Sequence, residues 1–526
     1  MKSFWKQTAA MPSFKPLTED AAADVCVVGG GIAGLTTAYL LMKAGKSVCL
    51  LESHELASGQ TERTTAQFVT ALDDRYFEIE ALHGARGARL AAESHTAAIE
   101  RVDQIVREES IDCALEWQDG YLFSQGDPRE GILERELLAA RRAGLLDIVL
   151  LNRAPIHSFN TGECLRFPRQ LQLHPLKYLA GLTRALVRSG VRLHTHSPVI
   201  EFHGGDTAYV RTENGAQVRC GSIVVATNSP VNDLFAIHTK QAPYRTYVVS
   251  YTVPKGRVMR AMYWDTLEPY HYVRVESYSE THDLLIVGGE DHKTGQDQEP
   301  ERRFEALEAW TRARFPIGDQ PISQWSGQVM EPVDGLAFLG HNPMDRKNVY
   351  VITGDSGNGM THATIGAMLI TDQIMGRANP WEQLYNPSRL NLRAGVSFFK
   401  ENLNVAAQYA EWFDAKPRPD LERLKPGEGT VYREGLKMIA AYKEPSGVVK
   451  HLSAVCPHLA GIVRWNSAEK SWDCPCHGSR FDCHGQVIEG PALGNLKVLE
   501  TPSERPHLLT NQKDFSFDKG EAQHTL

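Results

Sequence analysis

Between residues 21 and 52 the apolar and polar positions predict a strand, a tight turn, a helix and a second strand. Asp24-Val-Cys-Val-Val is a short apolar run closed by Gly29-Gly30-Gly31. Such a run fits a strand buried on both faces. Apolar residues continue to Leu41, and Ser47 to Leu51 form a second run that ends in Glu52. Helical and β-rich patterns then alternate to about Gly376. Asn379-Pro380-Trp381 and Asn386-Pro387 punctuate the stretch after it. Val396, Phe399, Leu403, Ala406, Ala410 and Phe413 recur at helical spacing, which predicts one amphipathic helix over 390–413. Two prolines among charges, in AKPRPD, break it as a linker of limited flexibility. From about Lys425, β-like runs at 429–432, 438–442 and 448–452 alternate with Gly/Pro turns. They predict a small antiparallel β domain ending near Thr501, followed by a polar tail from Pro502.

Composition narrows this picture. At about 150 residues per domain, a chain of 526 residues holds two to four domains. Lys plus Arg is 56 and Asp plus Glu is 64, a net charge of −8. With no basic run, neither nucleic acid nor an anionic membrane is the expected partner. The content of 42% hydrophobic and 23% charged residues excludes wholesale disorder. The most apolar stretch, Val25 to Leu41, is interrupted by glycines, so no membrane span is expected. The N-terminus lacks the apolar core of a signal peptide, and a reducing cytoplasm is the expected location. Cys26, Cys49, Cys113, Cys164 and Cys220 are scattered and read as small buried hydrophobes. Four more cysteines crowd between 456 and 483 and require a chemical reason.

Gly29-x-Gly31-x-x-Gly34 follows a strand directly and opens a helix. Gly29 permits the tight turn, Gly31 lets the backbone approach a pyrophosphate, and Gly34 lets the helix pack on the sheet. Glu52 lies about 20 residues on, where an acidic side chain binds ribose hydroxyls. Strand, helix and acid in register predict a dinucleotide site, without separating FAD from NAD.

Three later segments make that separation by resemblance. Ala57-Ser-Gly59-Gln-Thr61-Glu-Arg63-Thr64-Thr65-Ala66-Gln67 resembles the second flavin-contacting loop of the D-amino-acid-oxidase-like (DAO) superfamily. Val224-Val-Ala226-Thr227-Asn228 is similar to the strand that closes its FAD domain. Tyr350 to Thr361, with Gly354, Gly357, Gly359, Met360 and Thr361, resembles its C-terminal flavin loop. The order and spacing match over about residues 20–376, and the pattern is nearest the γ-glutamylputrescine-oxidase-like amine oxidases. The resemblance implies a Rossmann-like α/β FAD domain interleaved with an α+β substrate domain. Some members bind FAD covalently through histidine or cysteine. Here Arg63 stands at the histidine place, so non-covalent FAD is expected.

Residues 456–485 put one cysteine and one histidine on each of two loops, Cys456-x-His458 and Cys474-x-x-His477. Two thiolates and two imidazoles can hold a tetrahedral zinc, although zinc knuckles usually space two cysteines by two to four residues. The pattern also closely resembles a Rieske domain, in which two cysteines hold one iron of a [2Fe–2S] cluster and two histidines the other. Pro457, Leu459, Trp465, Trp472-Asp473, Gly478-Ser479, Phe481-Asp482, Gly485 and Gly490-Pro491-Ala492 extend the match. Two positions depart from the family. Gly461 stands where many Rieske domains have a disulfide cysteine, leaving Cys476 with Cys483 as the only nearby candidate partner. Ser479 fits the family's serine donor to the cluster sulfurs, but Phe481 occupies the tyrosine place. Losing that donor implies a potential low in the Rieske range of roughly −150 to +300 mV.

Together the resemblances imply four segments. Residues 1–380 are the FAD-dependent oxidoreductase and 381–424 a helix and linker. Residues 425–501 are a small all-β Rieske domain and 502–526 the tail. The implied function is oxidation of an amine or amino-acid-like C–N bond at FAD, with single electrons leaving through the cluster to an external carrier protein. In the family fold the two imidazoles lie at the Rieske surface, facing a donor or acceptor. An oxygen-using amine oxidase and a non-catalytic redox sensor are the alternatives. A Rieske non-haem iron oxygenase is discounted for want of a two-histidine, one-carboxylate triad. Tyr272, Arg274 and His271 are the candidate catalytic residues: aromatic lining for an amine, a cation for a carboxylate, and a base. Tyr244-Arg245-Thr246-Tyr247 is a second candidate segment, and Lys240 a candidate for oxygen activation.

Overall fold

The computed structural model describes residues 1–126, 131–232, 237–414 and 417–499. The polar tail and the end of the β domain at Thr501 lie outside them. The strand Ala21–Val28 is central to an eight-stranded sheet. It pairs in parallel with Val48–Leu51 on one side and Gln217–Asn228 on the other, and Val349–Thr353 lies parallel beyond. The helix Ile32–Lys43 packs on this sheet beside the helix Gly359–Ile374. Both helices are buried over most of their length, because each lies between the sheet and further helices.

A nine-stranded sheet forms the second layer. Its long strands Gln241–Pro254, His282–Lys293 and Ser323–Pro332 pair antiparallel, and His271–Ser277 and Met262–Asp265 extend it. The chain returns to the first sheet afterwards, so the two units are interleaved. This is the α/β plus α+β arrangement that the DAO resemblance implies.

The C-terminal unit holds a three-stranded sheet, Gly429–Glu434, Lys437–Lys443 and Val449–Ser453. These are the three runs read from the sequence. A four-stranded sheet comes next, Arg464–Asn466, Ser471–Asp473, Arg480–Asp482 and Val487–Glu489. Trp472, Phe481 and Leu452 form its core together with Cys456, Cys474 and Cys476.

The expected helix over 390–413 differs. A short 3₁₀ turn Leu392–Ala394 leads into the helix Gly395–Gln408, and a separate turn Glu411–Asp414 lies beyond it. The periodic apolar side faces solvent: Val396, Phe399 and Leu403 are exposed. Val405, Tyr409 and Trp412 pack on the C-terminal core instead.

A buried charge cluster joins the two units. Glu469 of the β domain pairs with Arg245 at 2.9 Å, with Arg63 at 3.5 Å, and with Arg480 of its own domain. Arg480 also pairs with Asp473 at 2.9 Å and Glu489 at 2.7 Å. Burial alone would raise the Glu469 carboxyl, but Arg245, Arg480 and Arg63 hold it well below the usual range. Its folded value is depressed, so its contribution is full above the unfolded value of about 4.3 and fades as pH falls toward the folded one. Glu469→Gln leaves buried guanidinium groups short of a counter-charge, at a cost of about 3 kcal/mol or more. Denaturant unfolding followed by tryptophan fluorescence checks this. The expected result is earlier, separate unfolding of the β domain, and an unchanged curve would refute it.

Candidate active site and metal centre

The glycine loop sits at the C-terminal edge of the first sheet. Gly29 has φ +110°, and a Cβ there would lie 2.3 Å from the Ala226 carbonyl oxygen. A Cβ on Gly34 would lie 1.9 Å from the Gly29 carbonyl oxygen, so helix and loop touch backbone to backbone. Gly31 precedes the helix, and Thr61 Oγ1 accepts from Ile32 N at 3.1 Å. Glu52 accepts from Gly30 N at 2.6 Å and from His54 N at 2.8 Å, which fixes the loop.

These elements bound one cavity of about 860 Å³. Gly29, Gly31, Glu52, Gly59, Thr61, Arg63, Thr64 and Thr65 line it from one side. Ala226, Thr227, Gly357, Gly359 and Met360 line it from the other. Gly34, Ala66, Gly354 and Thr361 stand behind the wall. Thr361 Oγ1 accepts from Val69 N at 3.2 Å, and Gly354 packs against Pro332. Among the described residues, Gln60 Nε2, Arg63 Nε and Gln67 Nε2 are buried donor atoms without a partner, on side chains that line the cavity. A wall with unpaired donors and a glycine cradle fits FAD, whose pyrophosphate and pyrimidine carbonyls are acceptors.

Of the three candidate catalytic residues, Tyr272 lines the cavity, and its hydroxyl bonds Thr246 Oγ1 at 2.8 Å. Arg274 does not line it. Its guanidinium is buried and donates to Thr65 O at 2.7 Å, to Ala66 O at 2.9 Å and to Glu276. Trp5 Nε1 donates to Thr64 O at 2.6 Å and Trp325 Nε1 to Arg63 O at 2.7 Å. Arg274 is thus one of three large side chains pinning the carbonyls of the 63–66 loop, and it has no reach to a substrate carboxylate. His271 is also set aside. It is clamped by Asp265 at 2.8 Å and Glu290 at 3.3 Å and stacked on Trp310. In the second segment Arg245 belongs to the charge cluster and Tyr247 stacks on His292, which leaves Thr246 at the cavity. Lys240 donates to the Pro387 and Arg389 carbonyls.

Sequence reasoning missed the carboxylates at this end. Asp73 and Asp355 line the cavity beside Tyr270 and Tyr272. Asp74 accepts from Ser356 Oγ at 2.5 Å, and Ser356 also reaches Glu331 at 3.2 Å. Burial is the largest cause of each shift. It raises Asp355 to about 6, and Asp74 and Asp291 to about 7, with Asp73 adding repulsion to the last two. Glu331 is raised as well, by burial and then by Asp74. No local pattern marks these residues, which come from distant parts of the chain.

The second centre lies in the β domain. Cys456 and Cys474 are buried within hydrogen-bonding contact of each other, and that contact and burial raise the Cys456 thiol. His458 and His477 lie with ring centroids 5.1 Å apart and perpendicular. Burial, then the neighbouring His238, pushes both down to about 3, so both imidazoles are neutral. Both nitrogens of His458 are buried without a partner among the described residues. Neutral imidazoles with open nitrogens beside paired thiols fit a cluster with sulfur ligands on one iron and nitrogen ligands on the other. Cys476 and Cys483 are unbridged. A Cβ on Gly461 would lie 2.7 Å from Cys476 Sγ, so the missing cysteine leaves room that this thiol fills. Phe481, at the place of the family's tyrosine, is buried in the core, and Ser479 Oγ reaches Cys456. A hydroxyl near the thiols comes instead from Tyr409, which donates to Leu459 O at 2.7 Å and neighbours Cys476.

The imidazoles face the flavoprotein, with His458 only partly buried. His477 is 8% exposed, and both rings meet His238 of the flavoprotein, at centroid distances of 4.8 Å for His458 and 5.5 Å for His477. Gln328 lines the cavity and donates from Nε2 to Gly478 O at 3.1 Å, directly after His477. Ile488 to Gly490 of the β domain line the cavity too. The two centres are therefore separated by a thin wall that includes Gln328.

Metal analysis is expected to find iron and no stoichiometric zinc. Cys456→Ser loses the iron and keeps yellow flavin, and loss of both together refutes two separate sites. Gly31→Val abolishes flavin binding, checked by absorbance after gel filtration. Acid precipitation releases FAD intact, since Arg63 forms an ion pair and no flavin link; a flavin peptide after proteolysis refutes this.

Comparison with known proteins agrees with this geometry. The FAD dependent oxidoreductase (DAO) family matches residues 24–373, and the Rieske [2Fe-2S] domain matches residues 411–500. A putative Rieske 2Fe-2S iron-sulfur protein of Bacillus subtilis is 31% identical over 95% of this chain and 97% of its own. The gamma-glutamylputrescine oxidoreductase of Escherichia coli is 26% identical over 71% of this chain and 88% of its own. Among solved structures, glycine oxidase from Geobacillus kaustophilus superposes with a TM-score of 0.60 at 17% identity. It covers 70% of this chain and 99% of its own, and so shares the fold. The chain belongs to the DAO family of FAD-dependent oxidoreductases and carries a C-terminal Rieske [2Fe–2S] domain.

Proposed function

We propose that this enzyme oxidises an amine C–N bond with FAD and passes the electrons singly through its Rieske cluster to an external carrier. When bound, FAD accepts a two-electron hydride equivalent and the cluster carries one electron at a time. The carboxylate end of the cavity is the observation that carries the amine reading. Arg75 neighbours Asp73 and Asp74, yet burial outweighs it and the carboxylates outnumber it; the remaining cost is one a substrate ammonium group would offset. Asp73 and Asp355 would hold the ammonium group, with Tyr270 and Tyr272 giving it aromatic faces. Arg274, the cation that an amino-acid carboxylate would need, is committed to the 63–66 loop. Ile488 to Gly490 would keep water from the reacting carbon. The contact of His458 and His477 with the flavoprotein supports electron exchange within the chain.

An anaerobic screen of amines and N-methyl amino acids, read as flavin bleaching, tests the reading. Bleaching by amines is expected, and failure with every amine while amino acids succeed refutes it. With the substrate found, Asp73→Asn is expected to raise KM about 10- to 100-fold, the worth of one charged hydrogen bond. The KM for a cationic amine falls as pH rises from about 6 to about 7, because Asp355, Asp74 and Asp291 ionise there. His477→Ala tests the relay. In this cluster-less variant substrate still reduces the flavin, while turnover with a one-electron acceptor collapses. Unchanged turnover would favour direct use of oxygen.

A further inference from the structure

Two buried histidines meet beside the flavin cavity. His95 comes from the helical segment Tyr76–Glu108 and His362 from the first turn of the helix Gly359–Ile374. They are 0% and 2% exposed, and their Nε2 atoms face each other at 3.3 Å. Each ring also meets a backbone carbonyl through Nδ1. His95 lies 3.0 Å from Val69 O, and His362 lies 2.9 Å from Asp355 O. His362 lines the cavity, directly after the loop that resembles the family's flavin loop.

The row carbonyl, imidazole, imidazole, carbonyl has three contacts. A carbonyl only accepts, so each outer contact needs an N–H, and the central Nε2–Nε2 contact needs one more. Two neutral imidazoles carry one N–H each, so the neutral row is one proton short. It either sets two lone pairs against each other or leaves a carbonyl facing a bare nitrogen. A third proton completes all three hydrogen bonds and puts one positive charge on the pair. Burial opposes that charge. It pushes His95 down to about 4, and burial and then His95 hold His362 well below its ordinary range. Arg389, paired with Asp334 at 2.7 Å, acts on His362 in the same direction. Tyr385 lies 5.8 Å from His362 between ring centroids and bonds Ser94 at 2.8 Å. The Asp355 carboxyl, which burial raises to about 6, accepts from Met330 N at 2.7 Å. A new negative charge in the cavity reverses this balance, because charges act strongly through a medium of low dielectric constant.

We propose that His95 and His362 form a redox-linked proton site: when the flavin is reduced, the pair takes up one proton from solvent and balances the charge of the reduced ring. Hydride transfer from a substrate C–H gives oxidised FAD two electrons and one proton, which adds one negative charge. The second proton goes between the two Nε2 atoms, and it returns to solvent when the electrons leave. His362 borders the cofactor, and His95 acts through it as a positioning residue. The inference rests on the FAD assignment and is independent of the substrate and of the relay.

The test is a spectroelectrochemical titration of the full-length protein holding both cofactors, reading the flavin band between pH 7 and pH 8 without substrate. In a two-electron couple each proton taken up is worth a tenfold change per pH unit, which is about 30 mV. The wild-type flavin potential is expected to fall with rising pH by about 59 mV per unit, for two protons. His95→Leu is expected to fall by about 30 mV per unit, since one proton then accompanies the electrons. His95→Gln, whose amide offers His362 an N–H permanently, is expected to match His95→Leu. Asp355→Asn is expected to keep the wild-type slope. A one-proton slope in wild type overturns the proposal. A two-proton slope retained in His95→Gln overturns it too, since the second proton then sits on the flavin or a carboxylate. A one-proton slope in Asp355→Asn assigns the proton to Asp355 and has the same force. Infrared difference spectra of wild type with isotope-labelled histidine are the check that needs no variant. An imidazolium band that appears as the flavin bleaches is expected, and its absence overturns the proposal.

Discussion

Glu469 places one carboxylate among three guanidinium groups, two from the flavoprotein and one from its own domain. Each arginine alone would be a costly buried charge, and so would the glutamate. Their shared desolvation is repaid only when the domains meet in one orientation. That orientation seats the 474–478 loop on Pro243 and Gln328 and brings His238 against the cluster histidines. It also closes the flavin cavity with Ile488 to Gly490. The charge cluster thereby sets the register of the boundary.

Much of the chemistry was legible because it is local. The glycine loop, its strand and Glu52 form one continuous stretch, and Gly29 and Gly34 answer contacts with the adjacent strand and within that stretch. The Cys456–His458 and Cys474–His477 pairs are short motifs of the same kind. What escaped was set by distant partners. Arg274 suits a substrate carboxylate by residue type, yet the carbonyls of Thr65 and Ala66 reach it first. His271 has the chemistry of a base, but Asp265 and Glu290 occupy both nitrogens. Asp73, Asp291, Glu331 and Asp355 converge only through the two-layer fold, so no spacing announces them.

The helix Gly395–Gln408 teaches a related point. Its 3.6-residue periodicity is real, yet Val396, Phe399 and Leu403 face outward while Val405 packs inward with Tyr409 and Trp412. Periodicity reports an amphipathic helix and says nothing of which face the fold will cover. Here the inward side also places the Tyr409 hydroxyl near the thiols, with its proton given to the Leu459 carbonyl.

The closed boundary changes what concentration means for this molecule. Two separate proteins exchanging electrons must first collide, and their rate falls with dilution. A domain joined by its own chain and held by buried ion pairs is always at its effective concentration. In the proposed relay, transfer between the two centres would be a first-order property of one molecule, with a fixed one-to-one stoichiometry. Only the last step of that relay, out of the cluster, would still depend on how much partner the surroundings contain.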